Sequence, residues 1–401
     1  MKSLFDKFLP LEETRAELIA SSGADPFHVV VERVISATEA MVNGRKVIMA
    51  GTNNYLGLTF DPECVAAACT AIREEGTGTT GSRMANGSYA AHVALENELT
   101  RFFNCPAAIV FSTGYIANLG VLSTLTGAED VILLDADCHA SIYDGTRLGS
   151  AQVIRFRHND PADLEKRLKR LDERARSTLV VVEGIYSMLG DRALLREIVD
   201  VKRSYGAYLL VDEAHSLGVL GQNGRGLAEE VAVEEEVDFI TGTFSKSLGS
   251  IGGFCVSRWP ELKYVRYAMR PYIFTASSSP SLIASTRKAL ERLHHGAELR
   301  EKLWDNATRL YQGLAAMDFT LGPEISPVIA VRLPVSAGVA PALWGELLSQ
   351  GVYVNLVLPP ATPKGGSLLR CSLSAAHSHG QIDAMLDAFA LIRDKLQPHH
   401  L

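Results

Sequence analysis

Lys246 and Asp212 are the two residues whose types and surroundings most clearly indicate chemistry in this chain. Each follows an apolar, strand-like run, and small hydroxyl residues and glycines surround the lysine in segment 241–249. A lysine can form a Schiff base with the aldehyde of pyridoxal 5'-phosphate (PLP), and an aspartate can keep the pyridine nitrogen protonated, which makes the ring an electron sink. The pair therefore predicts a PLP site with Lys246 as the Schiff-base residue.

The phosphate of such a cofactor needs hydroxyl or backbone N–H donors. Thr243 and Ser245, which flank the lysine segment, offer two hydroxyl groups. Segment 111–118 follows a strand-like run and opens a helix, so its small residues would let backbone N–H groups approach a phosphate at the helix N-terminus. Taken alone, this segment is more typical of an ordinary strand-to-helix turn.

His139 and Ser187 each follow another strand-like run. A histidine there can stack on a flat ring and donate a hydrogen bond to a substrate carboxylate, and the serine is placed to bind the phenolic oxygen of PLP. A loop histidine or a turn serine is by itself more often structural. Two acids lie near His139, but no second histidine follows at metal-ligand spacing, so a metal site is set aside.

Asp212 opens the sequence Asp212-Glu213-Ala214-His215, which also occurs in helicases and other nucleotide hydrolases. Those proteins need a glycine-rich phosphate loop ending in Gly-Lys-Ser/Thr, and none precedes it here. A pyridine-binding aspartate is the better interpretation, and His215 would bond the phenol oxygen or brace the aspartate. Most lysines lie on the surface, but five strand ends that each carry a needed side chain favour the PLP interpretation.

The middle of the chain must supply the elements that position these residues. Apolar, β-rich runs alternate with helical patterns, which predicts a mainly parallel sheet flanked by helices on both faces. Ligands bind such sheets beyond the carboxyl ends of the strands. The predicted strands are 107–112, 131–134, 151–156, 179–182, 208–211, 239–240 and 253–256, with helices such as 163–176 and 193–205 between them.

The last hundred or so residues change in character. A long helical segment, three short strands and a final helix predict a smaller α+β domain. These elements are 279–317, then 328–332, 352–355 and 368–372, and a helix from 381. The expected organisation is an N-terminal arm at 1–55, a large PLP-binding domain at 56–290 and a small C-terminal domain at 291–401.

Composition excludes several function classes. The 401 residues carry a net charge of −7, which argues against nucleic acid or an anionic membrane surface as the main partner. No apolar stretch reaches the roughly 20 residues that a membrane span needs, and the N-terminus lacks the apolar core of a signal peptide. The six cysteines are scattered, which is typical of reduced thiols in a cytoplasmic protein. A soluble cytoplasmic enzyme is expected.

A family resemblance spans nearly the whole chain. It is carried by NNYLGL at 53–58, TTGSRMANG at 79–87, GTFSKS at 242–247, RPYIFTAS at 270–277 and RCS at 370–372. With these segments the chain resembles the α-oxoamine synthases, which are fold-type I PLP-dependent transferases with an aspartate aminotransferase-like fold. They condense an amino acid with an acyl thioester and lose CO2. Ser245-Lys246-Ser247 is most similar to the soluble bacterial serine palmitoyltransferases, whereas sister enzymes typically carry Gly-Lys-Ala.

The resemblance implies substrates and further site residues. The substrates would be L-serine and a long-chain acyl-CoA such as palmitoyl-CoA. Gly114 and Tyr115 would join in holding the phosphate, and Asn53 and Arg370 would bind the amino-acid carboxylate. Thr275 would reach the cofactor phosphate of the neighbouring subunit in a homodimer with shared active sites.

Two alternatives stay open at this point. A sister synthase of the aminolevulinate, amino-oxononanoate or aminoketobutyrate type would use glycine or alanine in place of serine. A non-catalytic partner subunit would use the fold only for assembly, which the presence of Lys246, Asp212 and His139 disfavours. A lipid product would also allow peripheral contact with a membrane surface.

Overall fold

A computed structural model describes residues 3–335, 338–362 and 365–395 of the chain. The strands in these ranges are β1 Val31–Val34, β2 Glu39–Val42, β3 Arg45–Met49, β4 Ala107–Phe111, β5 Val131–Asp135, β6 Gln152–Phe156, β7 Thr178–Glu183, β8 Tyr208–Asp212, β9 Phe239–Thr243, β10 Gly253–Ser257, β11 Thr320–Leu321, β12 Val328–Leu333, β13 Val352–Tyr353, β14 Asn355–Val357 and β15 Ser367–Ser372. The α-helices are α1 Leu9–Ser22, α2 Pro62–Glu75, α3 Ala90–Phe102, α4 Gly114–Leu125, α5 Ala140–Leu148, α6 Pro161–Leu171, α7 Leu195–Tyr205, α8 Leu227–Glu230, α9 Leu262–Val265, α10 Arg270–Ile273, α11 Pro280–His295, α12 Ala297–Ala316, α13 Ala340–Ser349 and α14 His379–Lys395. None of the described helices is long and apolar enough to cross a bilayer.

The chain divides into two compact units. Unit 1 comprises Met1–Tyr55, Met188–Gly190 and Lys302–Leu401. Unit 2 comprises Leu56–Ser187 and Asp191–Glu301. The residues predicted to bind the cofactor lie in unit 2, and the two predicted to bind the amino-acid carboxylate lie in unit 1.

Unit 2 is built around a seven-stranded sheet with the order β4-β10-β9-β8-β7-β5-β6. The pairs among β6, β5, β7, β8 and β9 are parallel, and β10 runs antiparallel to both of its neighbours. Every residue of β4, β5, β7, β9 and β10 is buried. Such strands read as continuous apolar runs because both faces of the sheet are covered. The prediction of a mainly parallel sheet flanked by helices is confirmed.

Unit 1 contains two four-stranded sheets, ordered β1-β2-β3-β13 and β11-β12-β15-β14. The predicted C-terminal strands appear as β12, β13 with β14, and β15. The first sheet joins the N-terminal segment to the C-terminal part through parallel pairing of β3 with β13. Its strands before residue 56 were not predicted from the sequence. All four residues of β1 are exposed, so this edge strand lacks the alternation that identifies a half-buried strand.

The long helical segment predicted at 279–317 is two helices. The structure ends α11 at His295 and begins α12 at Ala297, with Gly296 between them. A Cβ atom on Gly296 would lie 2.5 Å from the carbonyl oxygen of Arg292. Only glycine fits this close approach, so the break is encoded at that residue.

Candidate active site

A cavity of about 270 Å³ in unit 2 collects most of the predicted cofactor-binding residues. It lies where β5, β7, β8 and β9 end, because the carboxyl ends of parallel strands meet at one edge of a sheet. The predicted residues that line it are Gly114, Tyr115, His139, Asp212, His215, Thr243, Ser245 and Lys246.

One end of the cavity is the N-terminus of α4. Thr113 caps this helix, and its side chain accepts a hydrogen bond from the Ile116 N–H at 3.1 Å. The first N–H groups of a helix have no intrahelical acceptor and attract anions. The hydroxyls of Thr243 and Ser245 lie 2.8 Å apart. A Cβ atom on Gly114 would lie 2.8 Å from Thr243 Cβ, so glycine is needed for this packing. The arrangement is a cradle for a phosphate-sized anion.

Asp212 occupies another part of the cavity as the last residue of β8. Its Oδ2 accepts a hydrogen bond from Asn118 Nδ2 at 2.7 Å, and its Oδ1 accepts one from the Ala214 N–H at 2.9 Å. Asn118 is held in turn by Thr241, whose hydroxyl donates to Asn118 Oδ1 at 2.8 Å. The buried carboxylate therefore has a fixed orientation.

His139 is the N-cap of α5. Its Nδ1 accepts a hydrogen bond from the Ser141 N–H at 3.2 Å and lies 2.8 Å from Ser141 Oγ. Because Nδ1 is an acceptor, these hydrogen bonds assign the ring proton to Nε2. Burial lowers the pKa of His139, Asp212 raises it, and the charge of Lys246 lowers it further. His139 is thus a neutral ring with one donor, Nε2–H, available to a ligand.

A continuous hydrogen-bonded chain joins Asp212 to His139. Asn118 Nδ2 donates both to Asp212 and to Ser141 Oγ, the latter at 2.9 Å, and Ser141 Oγ contacts His139 Nδ1. Asn118 and Ser141 were not among the predicted site residues, although Asn118 lies one helical turn after Gly114 and Ser141 two residues after His139. These short spacings from predicted site residues could have identified both side chains as candidates.

Glu183 is a third residue of the site that was not predicted from the sequence. It is the last residue of β7, lines the cavity and accepts a hydrogen bond from the backbone N–H of His139. Burial raises the pKa of Glu183 well above its ordinary value, and Asp212 raises it further while Lys246 lowers it. Glu183 stands at the end of a strand, as Asp212 does, and this position could have identified it as a candidate site residue.

Two predicted cofactor-binding residues do not line this cavity. Ser187 lies in the loop after β7 and is the last residue of the first segment of unit 2, Leu56–Ser187. Thr275 follows α10 and lines a separate small pocket together with Arg83 and Tyr272.

Asn53 and Arg370 lie together within unit 1. Arg370, buried in β15, donates from its two terminal nitrogens to Asn53 Oδ1 at 3.3 and 3.4 Å, and one of them also donates to Ser372 Oγ at 3.0 Å. Tyr55 donates its hydroxyl to the same Asn53 oxygen at 3.4 Å. Burial raises the pKa of Tyr55 to about 12 against the opposing charge of Arg370. A guanidinium fork held this way matches the geometry of a carboxylate.

Comparison with known proteins places the chain in a family. The aminotransferase class I and II family matches residues 45–389. The serine palmitoyltransferase (SPT) of Caulobacter vibrioides is 58% identical over 389 residues, 97% of this chain and 96% of the relative. The SPT of Sphingomonas paucimobilis is 50% identical and covers 97% and 92%. A solved structure of SPT with PLP internal aldimine has a TM-score of 0.96 at 48% identity and covers 100% of both chains. The predicted fold type is confirmed, and the chain belongs to the aminotransferase class I and II family.

Proposed function

We propose that this protein is a PLP-dependent acyltransferase that condenses L-serine with a long-chain acyl-CoA, palmitoyl-CoA in the first instance. The products are 3-ketodihydrosphingosine, CoA and CO2, which is the first step of sphingolipid biosynthesis. The observation that carries the proposal is one cavity lined by Lys246, Asp212 and His139, in a chain 58% identical to an SPT. Identity of this extent favours serine over the glycine or alanine that sister synthases use.

The residues of the cavity fit PLP. The helix N-terminus at Gly114 and Tyr115 and the hydroxyls of Thr243 and Ser245 would hold its phosphate. Asp212 would pair with the pyridine nitrogen, and His139 would lie against the ring. We further assign His215 and Ser187 to the phenol oxygen. When bound, PLP supplies an aldehyde for the lysine and a ring that accepts electrons from a substrate carbanion.

Three side chains of unit 2 would then act on the substrate. Asp212, oriented by Asn118, would stabilise a proton on the pyridine nitrogen. His139 would donate its Nε2–H to the carboxylate of L-serine and so orient the bond to be broken. Lys246 Nζ, once released from the cofactor, would take the α-proton of L-serine and later return a proton to the product carbon.

In unit 1, Asn53 and Arg370 would bind the serine carboxylate. Arg370 is the ionic partner, because its planar fork can form two parallel hydrogen bonds with the two carboxylate oxygens. Asn53, Ser372 and Tyr55 hold the guanidinium and its partner oxygen in place before the substrate arrives. Preorganisation of this kind reduces the ordering cost of binding.

We also propose a cytoplasmic homodimer whose active sites are shared between subunits. Thr275 would contact the cofactor phosphate of the partner subunit, which agrees with its position outside the cavity of its own chain. Because the product is a lipid, peripheral contact with a membrane surface would accompany its release.

A spectral titration tests the proposed function. The purified protein, loaded with PLP, is titrated separately with L-serine, glycine and L-alanine while its visible absorbance is followed, and palmitoyl-CoA is then added. We expect a saturable change that favours serine, followed by release of thiol and CO2. A response to glycine or alanine alone would move the substrate within the family, and absence of a visible cofactor band would refute the PLP site.

Lys246→Ala is the matched variant for this titration. It removes the amine that holds the cofactor covalently and that moves the α-proton, so we expect no absorbance band from a lysine-bound cofactor and no turnover. Full activity in Lys246→Ala would refute the assignment of the lysine. A wild-type protein that itself shows no turnover of serine and palmitoyl-CoA would instead favour a non-catalytic partner subunit.

A further inference from the structure

Two adjacent residues outside the cavity, His158 and Asn159, form hydrogen bonds with the end of β5, the strand that precedes His139. Asp135 is the last residue of β5, fully buried, four positions before His139. Its Oδ1 lies 2.9 Å from His158 Nδ1, and its Oδ2 accepts a hydrogen bond from the Asn159 N–H at 2.8 Å. Both carboxylate oxygens of Asp135 are therefore bound by the same dipeptide.

The same two residues also form hydrogen bonds with residues 191–194, a segment that follows the loop after β7 and is called the returning segment below. His158 Nε2 lies 2.8 Å from Asp191 Oδ2. The Asn159 side chain donates to the carbonyl of Arg192 at 2.7 Å and accepts from the Leu194 N–H at 2.7 Å. Asn159 has φ +52°, a left-handed conformation that asparagine tolerates better than most residues. Five hydrogen bonds thus tie the end of β5 to this returning segment.

The returning segment and the end of β7 both lead to the site. The carbonyl of Asp191 accepts the Tyr186 N–H at 2.8 Å, next to Ser187, and Glu183 accepts the N–H of His139. We propose that His158 and Asn159 form a clasp that positions His139, with His158 acting as a doubly hydrogen-bonded imidazolium. The inference rests on the proposed function, in which His139 orients the substrate, and it makes His158 a positioning residue.

The geometry requires the charged form of His158. Both ring nitrogens face carboxylate oxygens, which only accept hydrogen bonds when ionised, so both nitrogens must carry a proton. Burial opposes the charge, but Asp135 and Asp191 outweigh it and raise the pKa of His158 to about 10. Asp137, 3.9 Å from Nδ1, and the Tyr186 ring, with centroids 4.5 Å apart, also face the imidazole. His158 therefore stays charged at neutral pH.

His158→Gln tests the clasp, with His379→Gln as the matched control. His379 also pairs with a carboxylate, Asp305 at 2.6 Å, but both side chains are largely exposed and neither lies in the site. The PLP-loaded full chain is assayed for kcat per bound cofactor, for the dissociation constant of L-serine and for the circular dichroism of the cofactor band. A displaced catalytic group costs on the order of 10- to 100-fold in rate. We expect His158→Gln to lose at least about 10-fold in kcat per bound cofactor and to change the dichroism, with His379→Gln unchanged.

Asp191→Asn provides a second test if His158→Gln folds poorly. The amide oxygen can still accept from Nε2, but the lost negative charge lowers the proton affinity of His158. The ratio of Asp191→Asn to wild-type kcat should therefore fall as the pH rises, because His158 loses its second proton. If both variants match His379→Gln in kcat per site, dichroism and pH profile, the clasp is refuted. If wild-type protein does not turn over serine and palmitoyl-CoA, the proposed function fails, while the dichroism and serine affinity still report on the clasp.

Discussion

Asn118→Asp is the substitution that most sharply tests the hydrogen-bonded chain between Asp212 and His139. The change keeps the shape of the side chain but exchanges an NH2 group for an oxygen. That oxygen would face Asp212 Oδ2 across the 2.7 Å that a hydrogen bond now spans. Asn118 is 3% and Asp212 5% exposed, so water screens the contact only weakly.

Two ionised carboxylates are costly at this separation. Unit charges 2.7 Å apart repel by about 6 kcal/mol at an effective dielectric constant of about 20. Holding a proton on a carboxyl group of ordinary pKa near 4 costs about 4 kcal/mol at pH 7, at about 1.4 kcal/mol per pH unit. Protonation is cheaper, so the folded variant keeps a proton that the unfolded chain releases. The free energy of unfolding of the variant therefore falls as the pH rises. Relative to a pH below about 4, where the carboxyl group is protonated in both states, the loss is about 1 kcal/mol at pH 5 and about 4 kcal/mol at pH 7.

Urea unfolding, followed by tryptophan fluorescence at about pH 5 and about pH 7, measures this loss. Asn118→Ala is the control, because it removes the same hydrogen bonds without adding an acid. We expect Asn118→Ala to lose similar stability at both pH values and Asn118→Asp to lose much more at the higher one. Equal losses for Asn118→Asp at the two pH values would refute the close contact with Asp212.

Three further substitutions probe the remaining parts of the site. His139→Phe keeps a flat ring but removes the hydrogen-bond donor. Because hydrogen bonds to charged groups contribute about 1.5–3 kcal/mol, the KM for serine should rise about 10- to 100-fold while the cofactor absorbance band is retained. An unchanged KM would contradict the proposed hydrogen bond from His139 to the serine carboxylate. Arg370→Lys replaces a fork with a point charge, and initial rates should show the serine KM rising about 10-fold with a smaller effect on kcat; a loss confined to kcat would argue against carboxylate binding. The raised pKa of Glu183 means that the folded protein retains a proton that the unfolded chain loses above the ordinary value, so this group's contribution to stability falls as the pH rises. Glu183→Gln should reduce the pH dependence of the free energy of unfolding measured in urea. If the unfolding free energy changed with pH as it does in the wild type, Glu183 would be ionised in the folded state.

The strands of unit 2 were predictable because their burial is recorded directly in the sequence. A parallel strand covered on both faces is an unbroken apolar run, and β4, β5 and β7 are such strands. Their spatial order was not predictable, since β10 is inserted between β4 and β9 although it comes last among the seven along the chain. In the N-terminal sheet of unit 1, β1 was missed because it is exposed throughout and has no core-facing pattern, whereas β2 was missed although every second residue of its four is buried.

The sequence by itself determined the chemical inventory of this protein. A lysine, an aspartate, a histidine and hydroxyls that are predicted to bind a phosphate each follow a strand, and parallel strands bring their ends to one edge, so the inventory already implies one site. Only the tertiary structure decided what holds those groups in position. Asn118 and Asp212 are 94 positions apart, and His158 and Asp191 are 33 apart, yet each pair is in hydrogen-bond contact. A hydrogen bond depends on distances of a few tenths of an ångström, and residue spacing along the chain does not carry that information.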